Sequence, residues 1–268
     1  FEYSGLYYSA HDADTDHEEG LTYLWTMSEL KEILDKDFAS FREVYEVTNE
    51  GNFEGKNHLI KMENKFLPQF EEILLSVRKK RKQPFIDKKI ITSWNALLGI
   101  GFMNAYRCTG DEKLKQKSID IYKKLLDMHY REGKLYHSSL DGVLQKNEFL
   151  EDYASMLMLA TYVYEETRNE LFEKKLKQKT KDVIRDLFEN MKEFWKDKWI
   201  DNKENDFILV ESQKFDHPIP SSFSLAEFAS FRAKIILEMG YHEGREMNYG
   251  SDFYNLLVLF SENGHIIK

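Results

Sequence analysis

The sequence is poor in residues that staple or break a chain, with one cysteine and four prolines among 268 residues. Cys108 has no second cysteine to pair with, which excludes an internal disulfide and favours a reducing, cytoplasmic location. No apolar run approaches the length of a membrane span, so we predict no membrane segment. The net charge of −9 repels phosphate backbones and excludes nucleic acid as an expected partner.

Motifs for metals and nucleotide cofactors are also missing. The eight histidines show no HExxH or HxxxH spacing, so we predict no zinc site. No glycine-rich phosphate loop is present, and we expect no cofactor. Asp12, Asp14 and Asp16 have the alternate spacing of a calcium loop, but His17 and Tyr23 stand where an EF-hand needs glycine and glutamate. A polar turn is the expected structure there, with a looser metal or sugar-hydroxyl site as the alternative.

Apolar residues make up 42% of the chain and aromatic residues 14%, which is enough for a large core without staples. Residues 1–60 predict a loop- and strand-rich entry segment with one helix, which Thr26 caps and Glu29 completes as a capping box. A further helix is expected to end at the basic run 78–82, before Pro84.

From about residue 62 to 268, apolar residues recur at helical spacing and predict a series of helical hairpins. The first pair is separated by Gly110 and Asp111, and Thr92 or Ser93 is expected to cap its first helix. The remaining predicted elements are helices over about 149–164, 172–191, 222–239 and 243–260, and a β insertion near 197–216. Gly99 and Gly101 are expected to permit close helix packing.

Repeated long hairpins are typical of a toroid of helical pairs or of a solenoid. Loops of very unequal length favour the toroid, because the loops on one face can then build a pocket. We therefore predict one mainly α-helical toroid domain over residues 1–268, with small β insertions.

Five motifs occur in a fixed order. They are Tyr7–Asp14 (YYSAHDAD) with Glu19–Gly20, Tyr23–Thr26 (YLWT), Gly51–Asn57 (GNFEGKN), Asp87–Asn95 (DKKIITSWN) and Phe149–Ala154 (FLEDYA). This set resembles the spermatogenesis-associated protein 20 family. The resemblance implies a six-hairpin toroid similar to glycosidases and N-acylglucosamine 2-epimerases, preceded by a thioredoxin-like domain.

About four helical pairs are predicted here, and the chain begins at Phe1 instead of Met. We therefore expect an incomplete toroid from a longer parent chain, in which the thioredoxin-like domain is a partner of this segment. A homodimer that covers the open ends is the alternative, because large exposed apolar patches are rare in soluble monomers.

Carboxylates in these motifs are the candidate catalytic groups. Asp152 lies at the start of a predicted helix, where the dipole stabilises a carboxylate, and we pair it with a distant carboxylate: Asp12, Asp87 or Asp216. Glu151 is a poor partner for Asp152, because adjacent helical residues point about 100° apart. His137 and His217 are possible acids or bases that match no motif, and a surface or cap role is expected for each.

The candidate substrate-binding residues are Asp14, Trp25, Trp94, Asn95, Tyr153 and Asp216. Two functions fit these residues. The first is a carbohydrate-handling pocket, glycosidase-like or epimerase-like, with a carbohydrate ligand. The second is a non-catalytic helical scaffold that binds a protein or its own thioredoxin-like domain. Pro220–Ser224 (PSSFS) replaces a Pro-Ser-Gly-Asn-Ser stretch of the family and favours the scaffold. A pocket filled by Phe223 would distinguish it from an acidic funnel.

Overall fold

A computed structural model describes residues 2–62, 67–168, 172–173, 178–203, 209–240 and 246–262. The chain forms two compact units, Ala10–Asp87 and Phe1–Ser9 with Lys88–Lys268. The helices are α1 (Met27–Leu34), α2 (Phe38–Arg42), α3 (Pro68–Arg78), α4 (Thr92–Thr109), α5 (Glu112–His129), α6 (Leu150–Thr167), α7 (Thr180–Lys192), α8 (Ser222–Ile236) and α9 (Asp252–Glu262). The predicted mainly α-helical class is confirmed.

The strands are short and pair in antiparallel fashion. The smaller unit holds β3 (Ala10–His11) with β8 (Ile86–Asp87), β4 (Asp14–Thr15) with β5 (Glu18–Glu19), and β6 (Tyr45–Glu46) with β7 (Ile60–Lys61). The larger unit holds β1 (Glu2–Tyr3) with β2 (Leu6–Tyr7), β10 (Tyr130–Arg131) with β11 (Lys134–Leu135), β14 (Phe172–Glu173) with β15 (Gln178–Lys179), and a three-stranded sheet in the order β13 (Val143–Gln145), β12 (Ser138–Leu140), β9 (Ile90–Ile91).

In the smaller unit, α1, α2 and α3 surround their own apolar core, which includes Leu30, Phe41 and Phe70. Thr26 Oγ1 accepts from the Glu29 N–H at 3.1 Å, which confirms the predicted helix cap. The basic run follows the end of α3 as predicted. Arg81 from this run donates to the carbonyl groups of Thr22 and Leu24 and pairs with Glu29.

In the larger unit, α4, α6 and α8 form a row of neighbouring helices. Each packs against the helix that follows it in the chain, so that α5, α7 and α9 form a second layer. Gly110 ends α4 in the left-handed region at φ 75° and Asp111 caps α5, as predicted. Gly99 of α4 faces Leu159 of α6 so closely that a Cβ there would lie 3.0 Å from the leucine methyl groups. This confirms close packing at Gly99, whereas Gly101 is exposed.

Two predicted helix starts and one predicted cap are wrong. The second helix of the middle pair begins at Thr180 instead of 172, because Asp182 accepts from the Lys179 N–H and fixes the start there. The last helix begins at Asp252 instead of 243, since Gly250 adopts a left-handed φ of 74° just before it; residues 241–245 lie outside the described ranges. The capping group of α4 is neither Thr92 nor Ser93.

We predicted a β insertion near 197–216. In the described parts of that range, isolated β-bridges join Ile200 to Glu211, Trp199 to Trp195 and Asn202 to Phe149. Residues 204–208 of this range fall outside the described part of the chain. None of the described helices is long and apolar enough to cross a bilayer.

Candidate active site at the start of three helices

The first turns of α4, α6 and α8 lie at one end of the helical row. The Ser93 N–H of α4 donates to Asp152 Oδ1 of α6 at 3.0 Å. The Leu150 N–H donates to the Asp201 carbonyl at 3.0 Å, and Ser222 Oγ of α8 donates to Asp201 Oδ1 at 2.7 Å. Asp152 therefore caps α4 from a neighbouring helix, which is why no residue of α4 itself is needed for this role.

His137 is held beside this junction by short strands. It lies between β11 and β12, β12 pairs with β9 directly before α4, and the Thr92 N–H donates to the His137 carbonyl at 2.8 Å. His137 Nδ1 is 2.9 Å from Asp152 Oδ2, and Phe149 packs edge-on against the imidazole at 4.8 Å. The contact to Asp152 leaves Nε2 as the imidazole nitrogen that can exchange a proton with a ligand.

The pKa values of this pair are shifted by their surroundings. Asp152 is fully buried, and burial raises the pKa of its carboxyl to about 6. The hydrogen bond to Asp152 raises the pKa of His137 above its ordinary value. When Nδ1–H donates to the Asp152 carboxylate, the neutral imidazole leaves Nε2 able to accept a proton, and the protonated imidazole can return it.

Glu151 is the second ionisable group in reach. Its Oε1 lies 3.9 Å from His137 Nδ1 and accepts from Ser93 Oγ at 3.4 Å. Burial raises the pKa of Glu151, and the charge of Asp201 adds to this effect. A raised pKa favours the protonated carboxyl group and makes Glu151 a candidate general acid.

A cavity of about 320 Å³ opens at this junction. It is lined by His137, Phe149, Glu151, Asp201 and Ser222. One wall is aromatic and the others carry acids, a hydroxyl and an imidazole. The volume falls at the lower end of the range for small-molecule sites, roughly 300–1,000 Å³.

A buried histidine, His129, stabilises the start of α4 next to the site. Thr92 Oγ1 donates to the Tyr136 carbonyl at 2.6 Å, so it accepts from His129 Nδ1 at 2.7 Å. His129 Nε2 then accepts from Ser139 Oγ at 2.9 Å. Burial lowers the pKa of His129 to about 4, so this histidine is neutral near pH 7 and serves to fix the start of α4.

The structure places four of the predicted site residues near the start of α4 and α6. Asp152 is fully buried and acts only through its partners. Tyr153 is buried, donates to Glu148 and accepts from the Leu135 N–H. Asn95 is buried and bonds the backbone of Tyr7. Trp94 is half exposed on α4. Tyr153 and Asn95 thus hold neighbouring segments instead of facing the cavity.

The other predicted residues are spread over different surroundings. Asp216 accepts from the Ser221 and Phe253 N–H groups and so joins the starts of α8 and α9. The remaining four belong to the smaller unit: Asp12, Asp14, Trp25 and Asp87. Trp25 is buried beneath the Arg81 guanidinium, 3.8 Å from its ring centre, which leaves no free face for a sugar. Asp12 Oδ1 accepts from the Asp14 N–H, as expected for a polar turn.

Residues that the sequence analysis did not select complete the site. The sequence predicts a surface or cap role for His137, yet this residue lies at the centre of the site. The sequence also predicts that Glu151 is a poor partner for Asp152, yet both carboxylates lie beside His137. Asp201 and Ser222 carried no motif signal. The run Pro220–Ser224 was the one available hint for Ser222, since it marks the start of a helix beside a family motif.

The same groups could hold a metal ion. One ligand atom each from His137, Glu151 and Asp152 lies within 4.8 Å of the others. An imidazole with two carboxylates suits zinc. A metal ion here would have to displace the proton shared by His137 and Asp152, because their 2.9 Å contact occupies the donor atoms that it would need.

Fold and site together define a mainly α-helical protein of helical hairpins, with a histidine–carboxylate cluster at the start of α4 and α6. No family model matches the sequence. The chain is 24% identical over 219 residues to the uncharacterised protein B0495.5 of Caenorhabditis elegans. It is 27% identical over 215 residues to spermatogenesis-associated protein 20 of Rattus norvegicus and 26% identical over 215 residues to that of Homo sapiens.

These alignments confirm the resemblance to the spermatogenesis-associated protein 20 family that the ordered motifs indicate. They cover 64% of this chain for the worm protein and 60% for the mammalian proteins. The matched segment spans 30% of the worm protein and 27% of the rat and human proteins, so the chain corresponds to less than a third of these relatives.

Proposed function

We propose that the cavity at His137 binds a small polyhydroxylated ligand and that the domain handles carbohydrates by acid–base chemistry of the epimerase type. The observation that carries this proposal is the Asp152–His137 contact at the wall of a cavity that also contains Glu151. The acids, hydroxyl and imidazole suit a sugar's hydroxyl groups, and Phe149 offers an apolar face to its C–H groups. The volume suits a monosaccharide better than a polymer.

In this proposal His137 removes a proton from the ligand through Nε2. Glu151 returns a proton from its carboxylic acid, so one proton leaves, one arrives and no oxidant is needed. Asp152 is a positioning residue, because it is buried and touches His137 and the Ser93 N–H. Glycoside hydrolysis is less well supported, since it needs two carboxylates that reach the ligand, and Asp152 does not.

Binding of monosaccharides is the first test. We expect saturable binding of at least one reducing monosaccharide or N-acylated amino sugar by ligand-observed NMR. Glu151→Gln should weaken that binding about tenfold, the loss expected for one hydrogen bond between the carboxyl group and a sugar hydroxyl. Glu112→Gln is the control, because its side chain is 72% exposed at the start of α5.

The scaffold alternative predicts that no sugar in the panel binds. Equal binding in the Glu151→Gln and Glu112→Gln variants would place the ligand elsewhere and reject this cavity. Phe223 does not support the scaffold, because it packs against Tyr254 at 5.1 Å and is not a lining residue of the cavity. A thioredoxin-like partner domain and a cytoplasmic location remain part of the proposal, the latter because of the single cysteine.

A further inference from the structure

A second cavity of about 450 Å³ lies between α7, α8 and the segment that follows α7. It shares no lining residue with the cavity at His137. Glu227, Ser230 and Lys234 reach it from one face of α8, at the i, i+3 and i+7 positions. Trp195 and Trp199 form its aromatic side, with ring centres 5.1 Å apart in an edge-to-face arrangement.

The aromatic side is both fixed and accessible. Trp199 is buried, and its indole N–H donates to Glu227 Oε1 at 2.7 Å, which sets the orientation of the ring. Trp195 is 49% exposed. A large exposed aromatic side chain beside a buried partner presents a preformed face on which a flat ring can stack.

The charged groups favour an anion. Lys234 is partly buried, and no described residue forms an ion pair or hydrogen bond with it. Lys192, also at this cavity, pairs with Glu189 at 2.5 Å and lies 5.3 Å from the Phe188 ring. Two lysines and one glutamate give the lining a formal charge of +1, in a chain whose net charge is −9.

The wall formed by α8 also contains an unpaired hydroxyl group. Ser230 Oγ is buried and has no hydrogen-bond partner among the described residues. A buried hydroxyl without a partner is unfavourable, because it has lost its hydrogen bonds to water. Rotation about its χ1 angle would turn the hydroxyl towards a ligand in the cavity, where it could donate to an acceptor.

We propose that this cavity is a second binding site, for a flat aromatic ring that carries an anionic group. The ring stacks on Trp195, and the anion pairs with Lys234. A carboxylate and a phosphate share this chemistry, so the test includes both.

Calorimetric titration with 1-naphthoate and 1-naphthyl phosphate tests the proposal. We expect at least one of them to bind at a single site with a Kd below about 1 mM, and 1-naphthalenemethanol and cyclohexanecarboxylate to bind at least about tenfold more weakly. Trp195→Ala and Lys234→Met should each weaken binding of the anion about tenfold. The controls are Trp94→Ala, a half-exposed tryptophan on α4, and Lys113→Met, an exposed lysine on α5.

Tighter binding of naphthoate identifies a carboxylate ligand, and tighter binding of the naphthyl phosphate a phosphate ligand; either supports the site. Near-UV circular dichroism establishes that each variant is folded. The proposal is overturned if neither anion binds, if the neutral or the saturated compound binds as tightly, or if binding is unchanged in folded Trp195→Ala and Lys234→Met.

Discussion

Glu165→Gln should lower the free energy of unfolding by about 3–5 kcal/mol, because it leaves the buried charge of Arg232 without a counterion. Arg232 of α8 is 2% exposed. Its guanidinium lies 2.8 Å from Glu165 of α6, donates from Nε to Thr161 Oγ1 at 2.8 Å, and covers the Tyr162 ring at 4.1 Å. Arg107 of α4 binds the same glutamate at 2.8 Å. One carboxylate thus joins the three helices of the row.

Glu166, the residue that follows Glu165 in α6, provides a matched control for Glu165→Gln. Glu166 also pairs with Arg107, at 2.8 Å, but does not contact the buried guanidinium. Glu166→Gln should therefore cost less than about 1 kcal/mol, because Arg107 is partly exposed and keeps Glu165 as a partner. Arg232→Met in the Glu165→Gln background should restore much of the lost stability, because it removes the unpaired buried charge. Urea denaturation gives all three values. Equal losses for the two glutamate variants would show that the contact with Arg232 adds nothing to the pair with Arg107.

Replacing His137 by glutamine should reduce the rate of proton exchange into a bound sugar about 10²–10⁴-fold, the usual contribution of a positioned acid or base. The expected effect falls on kcat and leaves ligand affinity within a few-fold, because glutamine can still hydrogen-bond the ligand. Deuterium incorporation from D₂O, measured by mass spectrometry on the monosaccharide that binds, follows the exchange.

His217→Gln is the matched control for that experiment. His217 is exposed and packs edge-on against Phe215, and it is not a lining residue of the cavity. Neither histidine matches a sequence motif. The comparison therefore tests whether the position of His137 at the cavity determines the rate of proton exchange. Comparable losses in both variants, or full activity in His137→Gln, would remove His137 from the mechanism.

Local patterns predicted the hairpins because helix periodicity, caps and exits are short-range signals. Gly110 and Asp111 were sufficient to divide α4 from α5, and Thr26 to start α1. The boundaries of α7 and α9 were not found, because apolar periodicity continued past the residues that fix each start. Asp182 and Gly250 decided those positions through backbone hydrogen bonding and a left-handed turn.

Only part of the site could be predicted from the sequence, because its contacts join residues that are far apart in the chain. The role of Asp152 as the cap of α4 depends on a contact across 59 positions of sequence, to Ser93. His137 reaches Asp152 because β12 pairs with β9, which no spacing motif announces. A lone histidine in a loop carries no signal of its own, and its chemistry arises when the fold places a buried carboxylate behind it.

We propose that Asp152 holds His137 as an acid–base group at a ligand cavity. NMR titration of the His137 ring protons in the wild type and in Asp152→Asn tests this most directly. The account predicts a wild-type pKa above the ordinary histidine value, because the carboxylate stabilises the protonated ring. The pKa should fall in Asp152→Asn, and the wild-type resonance should shift when a binding monosaccharide is added. An unchanged His137 pKa in Asp152→Asn, or a His137 resonance that does not shift when the monosaccharide is added, would contradict this role of the pair.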